Sequence, residues 1–132
     1  MSAMDSGREV AKQLALGRMA VGVIGFVMPK TFGRVWVGSE AGSPRVAMIT
    51  RAFAVRDFAL GLGAYLAVQR DAPLRGWLEA GLLSDTADVL STFRGPVPVA
   101  RKLALAGAAL TGVAGGALAL QNLEGASLPA PV

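Results

Sequence analysis

Four long apolar segments, separated by clusters of glycine, proline and polar residues, set the pattern of this chain. Their start and stop signals predict four helices. Ser6 and Glu9 have the Ser-x-x-Glu spacing of a capping box and open a helix over residues 7–28, which Pro29 and Gly33 close. Ser43 followed by Pro44 reads as an N-cap with proline at the first helical position, opening residues 44–70. Asp71, Ala72 and Pro73 turn the chain into residues 74–94, which Gly95 and Pro96 close, and a last helix covers residues 99–121. Residues 122–132, with Gly125, Pro129 and Pro131, read as a disordered tail. The expected fold class is all-α: an antiparallel up-down four-helix transmembrane bundle, one domain over residues 1–121.

The membrane reading rests on length and on a missing polar face. Each predicted helix has roughly 20–27 residues, about 30–40 Å at 1.5 Å per residue, against a hydrocarbon core of about 30 Å. Between Leu103 and Leu120 there is no charge, and Thr111 is the one polar side chain. A helix on the outside of a soluble bundle would carry a polar face there. Composition agrees: 53% of residues are hydrophobic and 17% charged, which leaves little charge to cover a soluble exterior. Trp36 in the first connection, with Trp77 and Tyr65 near the opposite helix ends, suits aromatic belts at the two interfaces. The competing reading is a soluble apolar bundle, or a subunit buried in a complex.

Six charges break the apolar segments: Arg18, Arg51, Arg56, Asp57, Asp85 and Asp88. Ionisable residues within membrane helices are functional-site candidates. Each costs about 2.5–3.5 kcal/mol at a helix centre even on the lenient insertion scale. Six facing lipid would exceed the roughly 5–15 kcal/mol stability of a domain, so most must point inward and neutralise one another. Antiparallel neighbours place Arg18, Arg56, Asp57 and Asp85 at similar depth. An Arg51–Asp88 pair and an Arg18–Asp85 or Arg18–Asp57 pair are geometrically available. Gly81, Ser84, Asp85, Asp88, Ser91 and Thr92 form a single polar stripe at helical spacing. On the second predicted helix, no rotation turns Arg51, Arg56 and Asp57 to one narrow axis. Arg51 fits worst, and it suggests a wide polar interior, a side chain reaching for the interface, or a covering subunit. In the last helix Ala104, Ala108, Gly112 and Gly116 recur every fourth residue, a small-residue stripe suited to close helix packing within or between chains.

The chain lacks Cys and His, which removes disulfides, thiolate nucleophiles, cysteine- or histidine-bound metals and histidine-based triads. Neither a cofactor nor a metal is called for. The ten Arg and three Lys are scattered singly rather than as a basic stripe, so no nucleic-acid role is expected. Arg51-x4-Arg56-Asp57-x2-Leu60-Gly61, Asp85-x2-Asp88 and the Met28-Pro29/Trp36 region resemble a group of small four-helix membrane proteins of actinobacteria with no assigned activity. The resemblance covers about residues 14–118 and implies the architecture without a chemistry.

The expected function is therefore a small multi-pass protein of the cell membrane, structural or accessory, with a neutralised Arg/Asp cluster and its termini on one side. Its partners would be membrane lipids, a second copy of the chain or another membrane protein. Two alternatives stand beside it. One is a small-solute or proton-coupled transporter. The other is a lipid-binding protein or enzyme using Asp85 and Asp88, with no catalytic residue otherwise indicated. Lys and Arg number four on the side of the termini and six on the other, a slight lean toward termini outside.

Overall fold

A computed structural model describes residues 2–125. They form α1 (Ala3–Val27), α2 (Pro29–Val37), a 3-10 turn (Gly38–Gly42), α3 (Pro44–Gln69), α4 (Arg75–Arg94) and α5 (Val99–Gly125). There is no strand among the described residues, and the fold class is all-α.

Several helix ends differ from expectation, each for a local reason. The capping box of α1 lies one turn earlier, at Ser2 and Asp5. The Asp5 N–H donates to Ser2 Oγ at 3.1 Å, and the Ser2 N–H donates back to the Asp5 carboxylate at 3.0 Å. Ser6 already donates its N–H to the Ser2 carbonyl and so lies inside the helix. Pro29 does not end helical structure but starts α2, where its missing N–H costs nothing. Gly33 lies within α2, where a side chain would press on Thr50 and Ala41. The terminator of α2 is Gly38, whose positive φ of 65° suits glycine and returns its N–H to the Arg34 carbonyl. Ser43 precedes Pro44 in extended conformation but makes no side-chain cap. At the other end of α3, Asp71 takes a φ of 50°. Ala72 N–H reaches the Ala67 carbonyl at 2.9 Å, completing a left-handed cap. The last helix continues past residue 121 to Gly125, with Asn122 and Leu123 packed on Gly7 of α1. The rest of the predicted tail, residues 126–132, lies outside the described residues.

Residues that meet across the long helices give their mutual register. Gly22 of α1 meets Ala54 and Phe58 of α3, while Gly61 of α3 meets Ala15 and Arg18 of α1. Arg56 of α3 reaches Asp88 of α4, and Gly63 lies under the ring of Trp77. Gly112 and Gly116 of α5 meet Asp85 and Leu82 of α4, and Gly115 meets Leu14 of α1. The closest packing joins α1 to α3. A Cβ at Gly22 would come within 2.7 Å of the Ala54 carbonyl oxygen, and one at Gly61 within 2.6 Å of that of Ala15.

The interior consists mainly of alanine and glycine, with a few leucines. Its main cluster is Ala11, Ala15, Ala64, Ala67, Leu74, Leu78 and Ala119, and no large side chain among the described residues is fully enclosed. Large apolar side chains lie outside instead, among them Ile24, Phe26, Met48, Phe53, Leu83, Phe93, Leu103 and Leu110. The expected small-residue stripe on α5 divides. Gly112 and Gly116 pack on α4, whereas Ala104 and Ala108 are exposed. At four-residue spacing the positions drift around the helix by about 40° per step, so a single neighbour does not cover all four. Two helical stretches, Asp5–Val27 and Val99–Glu124, are long and apolar enough to cross a membrane.

Candidate functional site

Five of the six candidate charges converge into one chain of alternating charge across α1, α3 and α4. Arg18 stands at its centre. One guanidinium nitrogen, Nη1, donates to Asp57 Oδ1 at 3.3 Å, and Nη2 reaches Asp85 Oδ2 at 2.5 Å and the Gly81 carbonyl at 3.2 Å. Arg56 holds Asp88 with both prongs, Nη1 to Oδ1 at 3.1 Å and Nη2 to Oδ2 at 2.7 Å, and its Nη2 lies 3.4 Å from Asp57 Oδ1. The order is Asp88, Arg56, Asp57, Arg18, Asp85. The two-pronged contact is the strongest geometry available to a guanidinium and a carboxylate.

Two glycines make room for this arrangement. At Gly81 an added Cβ would sit 3.1 Å from Arg18 Nη2, so its absence lets the guanidinium lie against the α4 backbone. Gly112 leaves a similar space on α5 for the carboxylate of Asp85, which is 9% exposed. Neither glycine is recognisable from sequence as part of an ion-pair site, because each is defined by a neighbour on another helix. Two buried polar atoms find no hydrogen-bond partner among the described residues, Arg56 Nε and Ser84 Oγ. The polar stripe of α4 is therefore only partly turned to the cluster: Asp85 and Thr92 are buried, and Ser91 is exposed.

Arg51 stands apart. Its Nε donates to the Phe26 carbonyl at 3.2 Å and its guanidinium lies 6.0 Å from the Phe26 ring, on the exposed side of α3. The envisaged Arg51–Asp88 pair does not form, because Arg56 occupies both oxygens of Asp88. Arg51 and Arg56 are five residues apart and so about 140° apart around the helix, and only one can face α4. A consequence for charge follows. The six candidates balance, but the five that meet comprise two guanidinium groups and three carboxylates, a formal excess of one negative charge.

Beside Arg56, Asp57 and Asp88 lies a cavity of ≈ 160 Å³ between α1, α2 and α3. Away from these charges its walls are mostly aliphatic, with three aromatic rings among them, Phe32 and Trp36 of α2 and Phe53 of α3. The Arg56 guanidinium also lies 5.1 Å from the Phe53 ring. Trp36 lines this cavity and is half-buried. The helix that carries Phe32 and Trp36 was hidden in sequence by Pro29 and Gly33.

Asp85 and Asp88 face different guanidinium groups, and no group of three or more acidic residues gathers among the described residues as a metal site would need. A further polar device joins α1 to the end of α3. Arg8 donates to the Val68 carbonyl at 2.9 Å and pairs with Asp71 at 2.8 Å, so a cation meets the carbonyl end of that helix. Comparison with protein-family models, curated proteins and solved structures found no match.

Proposed function

We propose that this chain is a multi-pass integral protein of the cell membrane, an antiparallel up-down bundle of α1, α3, α4 and α5 whose buried ion pairs fix the mutual register of three helices. The resemblance to the small four-helix membrane proteins of actinobacteria is part of the same proposal. One observation carries it: the inside is mostly small residues and paired charges, while most large apolar side chains lie outside. In water that arrangement forfeits the hydrophobic driving force, whereas in lipid helices associate through close packing and polar contacts. Averaged hydropathy passes α1 and α5 alone as spans, because α3 and α4 carry the paired charges. With those charges turned inward, α3 presents Met48, Ile49, Phe53 and Val55 outward, and α4 presents Leu83, Leu90 and Phe93. Termini on one side agree with the packing of Gly7 against Asn122 and Leu123. Alkaline carbonate should leave the protein in the membrane pellet, and only detergent should release it; release by carbonate alone overturns the reading.

Capture or passage of a small solute is the second reading, supported by the cavity beside Arg56, Asp57 and Asp88. An enzyme built on Asp85 and Asp88 has less support, since each is engaged by a different arginine.

A further inference from the structure

We propose that the cavity between α1, α2 and α3 binds a small organic ammonium ion bearing one ring or a compact apolar group. Size sets the first limit. A cavity of ≈ 160 Å³ is close to the roughly 150 Å³ apolar cavity known to hold benzene. Wall chemistry sets the second. Phe32, Trp36 and Phe53 offer aromatic surface, which favours an organic cation that carries apolar surface of its own over a hydrated metal ion.

Charge sets the third limit. The carboxylates outnumber the guanidinium groups by one along the chain from Asp88 to Asp85. An uncompensated charge away from water is costly, so the cluster favours a cation beside it. Asp57 is the carboxylate with capacity to spare. Both arginines contact its Oδ1, and its Oδ2 takes no hydrogen bond from the described residues. An anion finds no comparable seat. Arg56 commits Nη1 and Nη2 to carboxylates, so its unpartnered Nε–H is a single donor and no two-pronged one is left for a phosphate or another carboxylate. The ligand would place its ring among Phe32, Trp36 and Phe53 and its ammonium against Asp57. This inference needs the fold and the cavity but not the membrane placement, so the two can fail independently.

Equilibrium dialysis of the full chain in uncharged detergent tests it, with benzylammonium, benzyl alcohol and benzoate as probes. Benzylammonium should bind saturably at one site, with benzyl alcohol about tenfold weaker or more and benzoate weakest. Asp57→Asn should weaken benzylammonium about tenfold and leave benzyl alcohol unchanged. Should that variant lose its helical circular dichroism, the probe contrast on the unaltered protein still decides, together with Ile49→Trp. That substitution is at a partly exposed wall position and should fill the cavity and abolish saturable binding of both neutral and cationic probes. Non-saturable partitioning, equal affinity for the alcohol and the ammonium, or undiminished binding to Ile49→Trp would each overturn the proposal.

Discussion

Helix α3 is held on two sides by different physics. Toward α1 it approaches almost backbone to backbone, with Gly22 and Gly61 replacing side chains that would collide with main-chain carbonyl oxygens. Toward α4 the contact is sparse, carried mainly by the Arg56–Asp88 pair and by Trp77 over Gly63. The first seam gains many small dispersion contacts and tolerates no added atom. The second is held by a directional charged pair and a single ring contact, and the cavity opens beside it. A single helix can thus supply a rigid seam and a polar, accessible one, depending on whether glycine or an ionisable residue faces the neighbour.

The largest effect should come from the residue common to both sides. Arg18 extends from α1 to Asp57 on α3 and Asp85 on α4, so Arg18→Met leaves the buried Asp85 and the half-buried Asp57 without it. Thermal unfolding followed by circular dichroism in detergent should show a loss of about 3–5 kcal/mol, the usual cost of removing one partner of a buried pair. Loss below about 1 kcal/mol would mean that the charge chain does not hold the helices together. Next, Gly61→Ala should cost about 1–3 kcal/mol through overpacking of the α1–α3 seam. Gly17→Ala is the internal control. It has no neighbour within 4 Å of a new Cβ and should stabilise α1 by up to about 1 kcal/mol. Equal effects at the two glycines would abolish the distinction between the tight seam and an open face. Arg8→Ala, which removes the cap on the carbonyl end of α3, should cost about 1 kcal/mol and speed amide exchange in the last turn of α3. The smallest change belongs to Arg51→Gln, within about 0.5 kcal/mol by the same unfolding assay, because Arg51 is exposed and holds no carboxylate.

Reading the chain alone succeeded where the cause was local. Pro44, Gly95 and the Asp71–Pro73 turn act through backbone chemistry of their own, and α3 and α4 begin or end beside them. Local signals also repeat, and repetition misleads. Ser2/Asp5 and Ser6/Glu9 have the same capping spacing one turn apart, and only the continuing hydrogen-bond ladder distinguishes them. Pro29 and Gly33 are ordinary helix breakers by composition, yet the one sits in a first turn and the other at a close contact with Thr50 and Ala41. Trp36 therefore reads from sequence as part of a connection, and no local signal places it in a cavity with Asp57.

By itself the sequence determined the all-α class, the approximate positions of the long helices, the exclusion of cysteine and histidine chemistry, and the demand that charges inside apolar segments be paired. Those follow from chain-local rules: periodicity, turn chemistry and the cost of an ionised group away from water. Only the tertiary structure decided which charges pair, that Arg56 rather than Arg51 takes Asp88, and that the five residues that meet carry one excess negative charge. Pairing depends on how each helix is rotated about its axis. That rotation is set by glycines and alanines meeting across helices, an interaction between distant positions that no single segment records.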